Sequence, residues 1–321
     1  MNADSKYNTV EAYKMAMKAG RQDNIFVYVD KKLTAWQGIK SISFLRMFKA
    51  VFQKLETYQG NRKLTFQEMD YSFFERYHGY LKSIGNSQNT IANNIKRIKT
   101  LFHEAVKDRV ISPDLIPIYT VKTTLPQTTA LTSDEVLRFI ELNLDEGTRQ
   151  FHVRNAFLFA MFCAGINIKN LLLMRWENVK DGRLRYQRTK TGKHQDIEIV
   201  SGALQILSYY MSDKGNPKQF IFPFMEDYKK NDEEYIHKKV TTWTTKINRT
   251  LAELGKIADI DKRLTTHTNR HTFTSIAYEK GVSSDELKDL LIHSNVKITE
   301  GYIHRLTTGK KDKALKRVFE K

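Results

Sequence analysis

Cysteine occurs once in this 321-residue chain and proline five times. The lone Cys163 cannot form an internal disulfide, which excludes the stapled scaffolds of small secreted domains. It lies in "AFLFAMFCAGI", so it reads as a buried core residue in a reducing, cytoplasmic setting. That run is also the longest apolar stretch, 11 residues, where a membrane-spanning helix needs about 18 or more. The opening "MNADSKYN" is too polar for a signal peptide, so the expectation is a soluble, unexported protein. Acidic residues are scarce: 36 Asp and Glu face 53 Lys and Arg, leaving +17 and a pI near 9.6. Such an excess favours a polyanionic partner, nucleic acid or an anionic membrane surface. The excess is present on both sides of residue 120, which suits two basic surfaces around one ligand better than one basic tail. Repeats and low-complexity segments are absent.

The first third has the period of helices. In "SISFLRMFKAVFQKLETYQG", Phe44, Phe48, Val51, Phe52 and Leu55 fall at helical spacing and Gly60 is a stop. In "LTFQEMDYSFFERYHGYLKSIG", Thr65 and Glu68 form a capping box; Phe73, Phe74, Tyr77 and Leu81 share one face, and the helix stops near Gly85. In "SQNTIANNIKRIKTLFHEAVKD", Ile91, Ile95, Ile98, Phe102 and Ala105 make a buried stripe, with Asn93, Lys96, Arg97 and Lys99 left outside. Those bases are either a solvated face or a face laid along DNA. Three of the five prolines, Pro113, Pro117 and Pro126, then break the pattern, which places an interdomain linker there. Beyond it Thr132 and Glu135 form a second capping box, followed by an apolar helix around 151–164 and "INIKNLLLMRW". "RLRYQRTKTGKHQDIEIV" alternates and reads as a β-hairpin turning near Thr191 and Gly192. Helices resume after Pro223.

"TTHTNRHTF" puts His267, Arg270 and His271 at i, i+3 and i+4, on one helix face able to grip an anion. Alone, such a triplet says little. His293 follows 23 residues after Arg270 and Tyr302 nine after His293, and Lys190 lies upstream in the hairpin.

With these residues in this order, the chain resembles the tyrosine recombinase (phage integrase) family over about residues 25–310. "RTKTGK" supplies a hairpin lysine, Lys190; "HTNRH" supplies His267 and Arg270; "LIHS" supplies His293; "TEGY" supplies the nucleophile Tyr302. "LTFQEMD" and "NTIANNIKRIK" resemble the family's core-binding domain. The resemblance implies a mainly α fold: an all-helical core-binding domain (25–112) after a short extension (1–24), a linker (113–130), a catalytic domain (131–310) that is mostly helical with a small antiparallel sheet, and a tail (311–321). It implies a site-specific recombinase cutting double-stranded DNA through a 3′-phosphotyrosyl link, without metal or other cofactor, as a homotetramer on its recombination sites and a monomer when free. The tail's Leu315, Val318 and Phe319 form an apolar patch that either docks on a neighbouring protomer or folds back. The short N-terminal extension tilts the expectation toward an inversion or simple-site enzyme.

The chemistry agrees. A phosphodiester gains negative charge in its pentacovalent transition state, so fixed cationic donors must surround it. Arg270 is such a donor and His293 a second; His267 is the candidate base for Tyr302, and Lys190 the acid for the leaving 5′-oxygen.

One departure matters. Where the family has its first arginine, in segments like "TGLRISELLALRW", this chain reads "AGINIKNLLLMRW". Asn167 holds the arginine's place and Asn170 that of the acid three residues on. Either the protein binds DNA without cutting it, or another base has moved in. Lys169 points roughly 200° away from Asn167 on a helix, so the candidate is Arg188, two residues before Lys190 on the strand and on the same face. Ile292 stands where the family usually has glycine. A type IB topoisomerase would share the chemistry, and zinc on His267, His271 and His293 is a further reading that lacks the glutamate of H-E-x-x-H; His271 otherwise reads as a packing residue.

Overall fold

The computed structural model describes residues 23–124, 128–189, 192–211, 216–225 and 232–292. The chain divides into two compact units between Pro126 and Gln127.

The N-terminal unit holds helices α1 (Ile25–Ala35), α2 (Ile42–Gln59), α3 (Tyr71–Ser83) and α4 (Gln88–Lys107). Each begins on a residue whose side-chain oxygen accepts the N–H three positions on: Asn24, Ser41, Asp70 and Ser87. Each such cap contributes about 1 kcal/mol. α2 ends at Gly60, whose φ of 73° is the left-handed closure that glycine adopts without a Cβ clash. The apolar stripes predicted for α2, α3 and α4 meet in one core, with Phe48, Leu55, Phe74, Tyr77, Ile98 and Phe102 fully enclosed.

Two expectations change here. Glu68 does accept from the Thr65 N–H and hydroxyl, at 2.7 and 2.8 Å, yet α3 starts later, on Asp70. Thr65 is held extended by a bridge to Asn24, with Phe66 and Met69 turned into the core, so Glu68 accepts both bonds and closes a turn instead of capping a helix. The segment expected to be linker from 113 is packed as far as Thr124. Leu115, Ile116, Tyr119 and Val121 cover the N-terminal core, His78 Nδ1 meets Tyr119 Oη at 2.7 Å, and Asn89 exchanges bonds of 2.8 and 2.9 Å with the Thr124 backbone. Pro113 opens a single 3-10 turn, Pro113–Leu115, proline being tolerated in a first turn but not in a longer helix or a central strand, and the apolar residues between prolines still bury.

Lys32 is 8% exposed and lies 3.1 Å from Glu104 Oε2 and 3.0 Å from Asp108 Oδ2, while the Tyr28 hydroxyl donates to Asp108 at 2.8 Å. Burial alone would lower the Lys32 pKa; hydrogen bonds and charge from Asp108 and Glu104 outweigh it and leave it raised. Burial likewise pushes both carboxyls up, and Lys107 with Lys32 (for Glu104) and Lys32 with Tyr28 (for Asp108) hold them below their ordinary values. Depressed carboxylates contribute stability that is present above their unfolded pKa and lost as pH falls through the folded one. Lys32→Met is expected to destabilise this unit by about 2–3 kcal/mol in urea unfolding, below the fully buried range because the carboxylates keep some solvent. The variant should also lose less stability than the native chain on acidification below pH about 4.

The C-terminal unit contains α5 (Ser133–Ile140), α6 (Arg149–Phe162), α7 (Ile168–Leu172), a sheet of β1 (Val179–Lys180), β2 (Arg183–Gln187) and β3 (His194–Glu198), then α8 (Ser201–Tyr210), α9 (Glu233–Ile257), α10 (Thr268–Glu279) and α11 (Ser284–Leu290). The predicted Thr132–Glu135 capping box forms at α5. α6 is buried almost all round, from Phe151 to Met161, and packs against α5, α8, α9 and α10. Cys163 follows it, 2% exposed, its thiol pushed up to about 12 by burial. The sheet is antiparallel in the order β1-β2-β3, with Tyr186 opposite Gln195. β1, two residues long, is too short for periodicity to reveal. The fold is thus mainly α with one small antiparallel sheet, as expected. Among the described residues no helix is long and apolar enough to cross a membrane.

Candidate active site

The site is organised by the first turn of α10. His267 occupies the N-cap position, exposed, and its carbonyl accepts from the N–H groups of Arg270 and His271, each at 3.2 Å. The three residues therefore do share the start of one helix, where backbone N–H groups and the helix dipole favour an anion. α10 is seated on the loop after α6. Ala164 and Gly165 both take left-handed φ, 60° and 70°, which turns the Gly165 and Ile166 carbonyls toward α10. Arg270 Nη1 donates to Gly165 O at 3.0 Å and Asn269 Nδ2 to Ile166 O at 3.4 Å. A Cβ on Gly165 would lie 2.7 Å from Arg270 Cα, so only glycine allows this approach. On its other side Arg270 Nη2 donates to Leu291 O at 2.6 Å. Two carbonyls from separate segments thus fix the guanidinium plane.

Asn167 and Asn170, the two departures, have local work. Asn167 is exposed and its Oδ1 accepts from the Lys169 N–H at 3.0 Å, capping α7. Asn170 is buried; its Nδ2 donates to Gln187 O at 3.2 Å and its Oδ1 receives the Thr189 hydroxyl at 3.5 Å. It grips the hairpin on both sides of Arg188.

Arg188 follows the last residue of β2 and stays in ladder register, its N–H donating to Lys193 O at 2.8 Å before the chain turns at Gly192, φ 68°. Its Nη1 donates to Ile292 O at 3.3 Å, the carbonyl next to the one that Arg270 holds. Arg188 also hydrogen-bonds Tyr186, whose hydroxyl burial raises in pKa while Arg188 and Arg270 pull the other way; the net direction is upward. Arg188 and Arg270 are therefore anchored on adjacent carbonyls. Ile292 has a φ of 47°. A β-branched residue there costs about 1–2 kcal/mol, which explains why glycine would suit the position.

Lys190, His293 and Tyr302 lie outside the described residues, as does the 311–321 tail. On α4, Asn93 and Lys96 are exposed as expected. Arg97 and Lys99 are half-buried, a correction to the sequence reading: Arg97 stacks 4.8 Å from the Phe44 ring centroid, and burial lowers the Lys99 pKa. The stripe on α4 is wider than five residues, since Asn94 and Leu101 are buried too. Among the described residues no cluster of His, Cys, Asp and Glu could hold a metal ion. Sequence reasoning missed Gln195, a buried amide at an inward strand position; its signal was a polar residue in the alternating series Gln195, Ile197, Ile199.

The phage integrase family model matches residues 129–308, and the phage integrase SAM-like domain matches 24–122. A tyrosine recombinase of Thermosipho africanus is 28% identical over 177 residues, covering 54% of this chain and 56% of that protein. The chain therefore spans just over half of that relative. The tyrosine recombinase XerD of Halalkalibacterium halodurans is 24% identical over 261 residues, covering 74% and 77%. Among solved structures, the Tn1549 transposon integrase in complex with transposon right end DNA aligns with a TM-score of 0.66 at 16% identity, covering 93% of this chain and 100% of that one. A lambda integrase dimer bound to a COC′ core site aligns at 0.64 and 16%, covering 87% and 95%. At these identities the structures speak for the fold, and the family match over more than half of the sequence speaks for descent: the chain belongs to the phage integrase family.

Proposed function

We propose that this recombinase cuts and rejoins double-stranded DNA with Tyr302 as nucleophile and with Arg270 and Arg188 as its two guanidiniums. The observation that carries the assignment is their anchoring on adjacent carbonyls, Leu291 and Ile292, beside the N-terminus of α10. Tyr302 Oη attacks the phosphorus as His267 takes its proton. The bond to the 5′-oxygen breaks, and Lys190 protonates that oxygen. His293 donates to a nonbridging oxygen. The 3′-phosphotyrosyl link conserves the phosphodiester's energy, so a 5′-hydroxyl of another strand reverses the step without ATP, metal or other cofactor. Free protein is monomeric and cytoplasmic, and a tetramer assembles on two recombination sites, the 311–321 tail docking on a neighbouring protomer. Asn93 and Lys96, with the partly buried Arg97 and Lys99, contribute phosphate contacts, so affinity falls steeply with salt.

The test uses a duplex selected for binding from a random pool and nicked so that cleavage is trapped. The expected product is a covalent protein–DNA adduct that survives denaturant, its nucleotide borne by the tryptic peptide containing Tyr302. Tight binding without any adduct would leave a DNA-binding protein that does not cut.

A further inference from the structure

We infer that Gln195 is a positioning residue for strand cleavage, acting through the turn on which Arg270 and Arg188 are anchored. The inference rests on the proposed reading of those two guanidiniums as phosphate-binding groups. β3 alternates: His194, Asp196 and Glu198 are exposed, while Gln195 is 6% exposed and Ile197 half-buried on the inner face. A buried amide costs free energy unless it is bonded. Gln195 Nε2 donates to Leu290 O at 3.2 Å. Leu290 ends α11, where the carbonyls lack helical partners. The next two carbonyls accept from Arg270 at 2.6 Å and from Arg188 at 3.3 Å. Three consecutive carbonyls thus each receive one side chain, from β3, α10 and the hairpin. They converge where Ile292 is left-handed, a backbone state that persists only when its surroundings over-determine it.

Gln195 is neutral and adds nothing to phosphate attraction. Its loss would leave the Leu290 carbonyl without this donor and let Ile292 relax toward negative φ. The Leu291 and Ile292 carbonyls would then turn, and both guanidiniums would lose a fixed anchor. A shift of about 1 Å in such groups can cost about 10²-fold in rate.

Two variants of the full chain test this, Gln195→Met and Gln195→Glu, read by single-turnover cleavage at saturating DNA, Kd for the same duplex and thermal midpoint. Gln195→Met is expected to cleave about 10- to 100-fold more slowly with unchanged Kd. Gln195→Glu is expected to be equally slow at pH about 8.5 and to recover relative to the native chain toward pH about 6, because a buried acid protonates readily and its O–H can then donate to Leu290 O. Native-rate cleavage by Gln195→Met, a loss in Gln195→Glu that pH does not relieve, or a weakening of Kd in proportion to the rate would each overturn the inference. If Arg270→Ala abolishes cleavage while Gln195→Met does not slow it, the recombinase reading stands and this one falls. If the native chain forms no adduct, both fall.

Discussion

Arg270→Ala is expected to slow single-turnover strand cleavage by about 10²–10³ at saturating DNA, the loss typical of one transition-state donor. Binding of the intact duplex should change far less, because many other phosphate contacts supply affinity. The effect belongs in the chemical step because the guanidinium is fixed between Gly165 O and Leu291 O before any phosphate arrives. Arg270→Lys keeps the charge but loses the planar fork, so it should recover only a small part of the rate. The measurement is the cleavage rate on a nicked duplex beside Kd for the same duplex; parallel losses in both would point to a binding role alone.

Gly165→Ala should be nearly as damaging to cleavage and also costly to stability. The position has a φ of 70°, which costs an L-residue about 1–2 kcal/mol. The added methyl would sit 2.7 Å from Arg270 Cα and 2.8 Å from its Cβ, adding an overpacking cost of about 1–3 kcal/mol. Gly147, with a φ of 76° and nothing within 4 Å of its built Cβ, isolates the first contribution. Gly147→Ala should therefore lose only the backbone part in urea unfolding and keep its cleavage rate. Equal losses at the two glycines would mean that close approach to α10 contributes nothing.

Much of this molecule is written in short-range pattern. The stripe from Ile91 to Ala105, the caps at Ser41 and Thr132, the stop at Gly60 and the hairpin from Arg183 to Glu198 follow from period and turn chemistry, which act over a few residues. Arg270 was legible because its neighbours His267 and His271 lie within a turn of helix. The features that were not legible join distant segments. Nothing near Gly165 says that a helix from residue 268 will rest on it, and nothing near Gln195 names Leu290 as its partner. Arg97 and Lys99 were read as outside because a periodic stripe gives the centre of a buried face and not its width. In the proline-rich segment proline forecasts the end of regular structure, yet Pro113–Leu115 form a 3-10 turn and the apolar residues as far as Val121 bury.

The central claim is that Arg188 does the work of the arginine absent at Asn167. Asn167 is an N-cap, so putting arginine there costs about 1 kcal/mol of local stability but supplies a guanidinium at that position. The decisive measurement is single-turnover cleavage by Arg188→Ala and by the double variant Asn167→Arg/Arg188→Ala. The account predicts a loss of about 10²-fold or more in the first and recovery of a substantial part of it in the second. Cleavage at the native rate by Arg188→Ala would contradict it.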